Sequence, residues 1–182
     1  MKTKTMDNIT LQRIQLLHPK VRTEVDNIYR NQIVPALTGR AICRFAYTYR
    51  SFAEQNALYA QGRTKLFDAQ GRRLGVITKA KGGQSIHNYR LALDIVLLRD
   101  RDGNGTFETA SWEDTIDFDK DGRADWMEVV NILKANGWEW GGDWKSFKDK
   151  PHFQKDFGYT WRQLLEKYNK RDFIPGTDYV NI

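Results

Sequence analysis

Ser85-Ile86-His87-Asn88-Tyr89-Arg90-Leu91-Ala92-Leu93-Asp94 sets a histidine-bearing turn at the head of an apolar run that continues to Leu98. Only Asp94 interrupts the run from Leu91, and its length suits a buried β-strand. Outward from this stretch, Gly82-Gly83 makes a turn, preceded by a short strand near Leu74 to Thr78 and a mobile basic stretch around Arg63 to Arg73. Ser51-Phe52-Ala53-Glu54 has the form of a capping box, which predicts a helix over about Phe52 to Gln61, stopped at Gly62. Ala41 to Tyr47 is strand-like. Pro19 opens a helix that carries Val21, Val25, Ile28, Tyr29 and Ile33 at helical spacing and ends by Gly39. Downstream, Trp126, Val129, Val130 and Leu133 share a helix face ending at Asn136-Gly137, and Thr160-Trp161-Arg162-Gln163 opens a last helix. Helices and strands mix without βαβ alternation. The fold class is therefore α+β, a small, mainly antiparallel sheet with flanking helices.

The composition narrows the function classes. At 182 residues, with 40% hydrophobic and 29% charged residues, the chain suits one soluble domain rather than a coiled coil or a disordered tail. Its longest apolar run is far short of the roughly 20 residues of a membrane span. The start, Met1 to Asn8, is basic without the apolar stretch of a signal peptide. A lone cysteine, Cys43, excludes an internal disulfide and a zinc finger, and its strand setting suits a buried structural thiol. The net charge of +6 is unevenly spread. Asp100 to Glu128 holds ten acidic residues against three basic, a net −7, and the remainder carries +13. Such a body favours an anionic partner and the island a cation. No helix-turn-helix, zinc-knuckle or RNA-recognition pattern accompanies the basic charge, so no nucleic-acid partner is expected.

The chemistry concentrates in two segments, the opening stretch and Asp149-Lys150-Pro151-His152-Phe153. Two of the three histidines stand beside carboxylates in them, and two imidazoles with one carboxylate make a catalytic zinc site with a fourth position open. Asp149, three residues before His152, is close enough to activate a metal-held water. On spacing alone a second reading stays open, in which His87 is a turn residue and His152 a satisfied core histidine. His18, before Pro19, suits a structural role at a helix start.

The ordered pattern of Ser85, His87, Ala92 and Asp94, followed by Asp149 and His152, resembles the zinc D-Ala-D-Ala carboxypeptidases and L-alanyl-D-glutamate endopeptidases, which include VanY-like enzymes and many phage endolysins. Tyr49 to Thr64 looks like the upstream arginine segment of that family, and Trp140-Gly141-Gly142-Asp143-Trp144 is similar to its endopeptidase branch. The resemblance extends over about Leu17 to Tyr168. It implies a hedgehog/DD-peptidase-like fold in which His87, Asp94 and His152 bind Zn²⁺. Asp149 would be the general base, Arg50 would steady the oxyanion or a substrate carboxylate, and Ser85 would hydrogen-bond substrate. Trp138, Trp140 and Trp144 would wall the cleft or fill the core. One departure stands out: Arg90 occupies the usual glycine position, an uncomfortable place for a side chain if φ is positive there. The implied substrate is a peptidoglycan stem peptide, cut at the L-alanyl-D-glutamate bond or, alternatively, at D-Ala-D-Ala. A non-catalytic zinc-containing binding module is the rival class. The expected organisation is a single catalytic domain over 1–182, monomeric, with residues 100–128 as an insertion. The 14 residues after Tyr168 are too few for a wall-binding domain. Synthesis in the cytoplasm with action on the cell wall, as in a phage or prophage lysin, or export by an unseen leader, would follow.

Within the acidic island, Asp117-Phe118-Asp119-Lys120-Asp121-Gly122-Arg123-Ala124-Asp125-Trp126-Met127-Glu128 follows the spacing of a 12-residue EF-hand loop. Asp117, Asp119, Asp121, Asp125 and Glu128 stand at positions 1, 3, 5, 9 and 12, with Gly122 at 6 and Arg123 offering its carbonyl at 7. Calcium is the expected ion. Asp100 starts a similar loop, but Ser111 stands at its twelfth position, which predicts a weaker site.

Overall fold

A computed structural model describes residues 5–37 and 39–182; the basic start, Met1 to Lys4, lies outside them. In chain order the first elements are α1 (Asn8–Ile14), α2 (Pro19–Ile28), a π-helical turn (Tyr29–Ile33), α3 (Val34–Ala36), β1 (Ala41–Tyr47) and α4 (Phe52–Ala60). A 3₁₀ turn (Ile86–Tyr89), β2 (Ala92–Arg99), β3 (Thr109–Ser111), α5 (Asp125–Ala135) and β4 (Glu139–Trp140) follow. A second 3₁₀ turn (Gly141–Asp143), β5 (His152–Gln154) and α6 (Trp161–Asn169) complete the order. These elements gather into two units. One comprises the chain up to Thr48 together with Ala92–Lys155; the other comprises Tyr49–Leu91 together with Asp156–Ile182.

The first unit holds the sheet, and every pairing in it is antiparallel. Its order is β1-β2-β5-β4, with β3 also pairing β2. β2 is central because it is the most apolar strand: Leu93, Ile95 and Leu97 are fully buried. A bulge between Phe45 and Tyr47 shifts the β1 register opposite Ile95 and Asp94, the kind of local kink that re-aims side chains. Val21, Val25, Ile28 and Ile33 are buried at the expected helical spacing. Their helix opens into a π turn because Pro35 has no N–H for the carbonyl four residues back; instead Val34 N–H reaches the carbonyl of Tyr29. His18 caps α2, its Nδ1 accepting from Lys20 N–H at 3.2 Å, as its position suggested. Trp126, Val129, Val130 and Leu133 of α5 are wholly buried. Each such side chain contributes about 1.5–3 kcal/mol, so the start of this helix is firmly anchored. Cys43 is buried, and burial raises its thiol pKa, as suits a structural residue.

The second unit is held by aromatic packing between its two chain segments. The Ser51–Glu54 capping box forms and α4 ends near Gly62, whose φ of +71° closes the turn. Phe52 meets Tyr168 at 4.6 Å and Tyr89 edge-on at 6.0 Å. α6 begins at Thr160 with a second capping box to Gln163. The strand expected at Leu74 to Thr78 is not formed; an isolated bridge joins Phe67 to Arg73 instead. Val76 and Ile77 are more than half exposed, so no neighbour buries an apolar face there and a strand has nothing to pair with. Among the described residues, no helix is long and apolar enough to cross a membrane.

Candidate active site and acidic loop

In the first unit the register itself makes the site. β2 and β5 pair so that Asp94 lies directly opposite His152, while their neighbours Leu93 and Phe153 point into the core. Alternation across a strand puts the two polar side chains together on the other face. His152 Nδ1 lies 3.1 Å from Asp94 Oδ1. Burial alone would discourage a charged ring at His152, but the hydrogen bond to Asp94 outweighs it and raises the imidazole pKa.

The opposite edge of that ring is fixed by a relay that the sequence reading missed. His152 Nε2 lies 3.1 Å from Gln154 Oε1, and Gln154 Nε2 donates to Glu139 Oε2 at 3.3 Å. Trp144 Nε1 donates to the other Glu139 oxygen. An ionised carboxylate only accepts, so the Gln154 NH₂ must face Glu139 and its carbonyl oxygen must face His152. That oxygen also only accepts. Nε2 therefore carries a hydrogen, and Nδ1 is the nitrogen turned to Asp94. A carboxylate oxygen and an imidazole nitrogen converging on one point, with a polar partner behind the ring, are ligand types suited to zinc.

Asp149 is placed by backbone contacts. Its N–H donates to the Gly141 carbonyl at 3.0 Å, and its own carbonyl accepts from His152 N–H at 3.1 Å. Gly141 leaves no room for a side chain: a Cβ there would lie 2.5 Å from the Asp149 carbonyl oxygen. A Cβ on Gly142 would strike the Trp140 ring at 2.3 Å. The Gly-Gly pair is thus a steric requirement for bringing Asp149 to the foot of β5. Trp138 and Trp140 belong to the core, and the Trp140 indole donates to the Lys150 carbonyl at 2.7 Å. Of the three tryptophans, Trp144 stands at the site, with its ring 5.3 Å from that of His152.

The second unit carries His87, Ser85 and Arg50. His87 is buried on the first 3₁₀ turn, and its carbonyl accepts from Arg50 N–H at 3.3 Å. Ser85 caps that turn in a box with Asn88. Asn88 ties the segment together: Oδ1 accepts from Gly83 and Nδ2 donates to the Arg50 carbonyl, both at 2.8 Å. Arg50 Nη1 donates to Gln55 Oε1 at 3.0 Å. Arg90 closes the turn with φ +64°, the left-handed conformation its glycine-like position suggested. Its guanidinium compensates by pairing with Asp178 at 2.8 Å and lying 3.8 Å from the Tyr49 ring centre.

Asp117, Asp119 and Asp121 converge in the acidic loop, and so do Asp119, Asp125 and Glu128, with ligand oxygens within 4.8 Å in each group. The backbone of the loop turns inward: Lys120, Asp121 and Gly122 N–H groups all donate to Asp117. Arg123 N–H donates to Asp121. Burial first, then the carboxylates of Asp119, Asp117 and Asp121, push Asp125 up to about 6. Burial and Asp121, Asp119 and Asp125 push Glu128 up to about 7.

Comparison with known proteins meets the family resemblance. Residues 78–155 match the model of the D-alanyl-D-alanine carboxypeptidase family. The peptidoglycan L-alanyl-D-glutamate endopeptidase CwlK of Bacillus subtilis (strain 168) is 46% identical over 106 residues, 58% of this chain and 56% of that protein. The chain thus spans about half the length of this curated relative. The crystal structure of the Serratia marcescens L-Ala D-Glu endopeptidase ChiX shares the fold, with a TM-score of 0.51 at 19% identity over 84% of this chain and 90% of that one.

Proposed function

We propose, from the match of residues 78–155 to the D-alanyl-D-alanine carboxypeptidase family, that this chain is a zinc peptidase that cuts the L-alanyl-D-glutamate bond of peptidoglycan stem peptides. The observation that carries the reading is Asp94 facing His152 across paired strands, with Asp149 three residues before that histidine. His87, Asp94 and His152 are assigned as the zinc ligands. When bound, zinc supplies a Lewis acid for the scissile carbonyl and lowers the pKa of water. Asp149 takes the proton of the attacking water and returns it to the leaving amine. Arg50 holds a substrate carboxylate with its planar guanidinium, oriented by Gln55, and Ser85 hydrogen-bonds the peptide. Residues 1–182 act as one catalytic domain on the cell wall, whose anionic character suits the basic body.

The likeness to CwlK favours the endopeptidase; the match to the D-alanyl-D-alanine carboxypeptidase family favours a second reading as a D-Ala-D-Ala carboxypeptidase. Mass spectrometry of muropeptides digested by the purified protein separates them. Cleavage after L-alanine supports the first, loss of one terminal alanine the second. Digestion undiminished by a zinc chelator and by His152→Ala would overturn both.

A further inference from the structure

The acidic loop poses a problem that the peptidase reading does not absorb. Asp119 belongs to both carboxylate groups, so five acids, Asp117, Asp119, Asp121, Asp125 and Glu128, form one continuous cluster. Unit charges about 4 Å apart repel by roughly 1 kcal/mol even in water and by more near protein. The two innermost members cannot move away. Asp125 is fully buried and Glu128 is 9% exposed, both on the first turn of α5, whose Trp126 and Val129 are locked into the core. Asp125 Oδ2 accepts from Phe118 N–H at 2.8 Å. Its other oxygen, Oδ1, and Glu128 Oε2 are buried without a hydrogen-bond partner. An orphaned buried oxygen costs about 1–3 kcal/mol, more when charged. The start of a helix accounts for an acid in its first turn, but not for two orphaned oxygens facing three more carboxylates.

We propose that the loop Asp117–Glu128 is a calcium site, with Asp117, Asp119, Asp121, Asp125 and Glu128 supplying side-chain oxygens and Arg123 its main-chain carbonyl. The donor set is all oxygen, hard and numerous. Such a set favours Ca²⁺, which takes six to eight oxygens, over Mg²⁺, which demands a tight octahedron and keeps its waters, and over zinc, which prefers nitrogen and sulfur. The Asp100 loop repeats the backbone pattern, with Gly103 and Asn104 N–H on Asp100 Oδ1 and Gly105 N–H on Oδ2. It ends in Ser111 instead of an acid and forms no comparable ligand cluster among the described residues. The stoichiometry is therefore one calcium per chain. The ion ties the segment after β3 to the head of α5, within the unit that carries Asp94 and His152, and is independent of the peptidase assignment.

The test is calorimetric titration of the full chain with calcium alone, at constant saturating zinc, paired with thermal melts. One calcium per chain and a melting temperature higher by about 5 °C or more at saturation are expected. Magnesium at the same concentration should give a clearly smaller shift. Glu128→Gln should abolish the calcium-dependent shift. Because Glu128 is buried, Asp121→Asn on the exposed side of the loop serves as a second variant and should weaken binding about tenfold or more. No calcium uptake with unchanged melting would overturn the proposal. So would binding that survives both substitutions, since that ion would sit elsewhere.

Discussion

At the scale of single residues, the most informative position is the one that breaks the expected pattern. Arg90 adopts φ +64°, a conformation costing a side-chain-bearing residue about 1 kcal/mol or more, and recovers that cost through Asp178 and Tyr49. Arg90→Ala keeps the strain and loses the guanidinium's partners; Arg90→Gly loses the partners but relieves the strain. The glycine variant should thus be more stable than the alanine variant by about 1 kcal/mol, measured by denaturant unfolding. Equal stabilities would mean that the strain is absent. Gln154 gives a second prediction. Gln154→Leu removes the acceptor that holds the hydrogen on His152 Nε2, and zinc affinity should fall about 10–100-fold in a competition assay with no comparable loss of helix content. The strain at Arg90 was legible in the sequence because the residue stands where the resembled family has glycine. Gln154 was not, because its role depends on a strand pairing that brings Glu139 alongside, fifteen residues away.

At the scale of elements, the sequence disclosed what local chemistry decides. Capping boxes at Ser51 and Thr160, the apolar run of β2 and the apolar face of α5 all formed where their side chains demanded. The element that failed, Leu74 to Thr78, had strand-like residues but no partner strand, and pairing is a non-local property. The turn Gly141–Asp143 lies between these cases: its glycines were visible, while their purpose needed the approach of Asp149. Gly141→Ala would force a methyl group against the Asp149 carbonyl and shift the proposed base. Because errors near 1 Å in a catalytic group can cost about 100-fold, kcat should drop about 10–100-fold while zinc content is retained and KM changes less. A variant with unchanged kcat would remove Asp149 placement from the role of this turn.

At the scale of the whole molecule, the sheet unit is sealed by Asp7, a buried carboxylate reached by Arg44 at 2.7 Å and by the Thr10 N–H and hydroxyl. Burial by itself would raise the Asp7 pKa, but these hydrogen bonds outweigh it and hold the group below the ordinary carboxylate value. A depressed folded-state pKa contributes stability that is fully present above the unfolded value of about 3.9 and disappears as pH falls through the folded one. Asp7→Asn should therefore cost about 2 kcal/mol near neutrality, and the gap from the parent should close in acid. A gap constant with pH would show that the lost interaction is not ionic. The same unit contains the only sulfhydryl of the chain, shielded within β1. A thiol reagent can reach Cys43 only when the sheet opens, so its labelling rate clocks that opening at one known atom. Calcium added to such an assay would slow the clock only if the acidic loop and the sheet open as a single cooperative body.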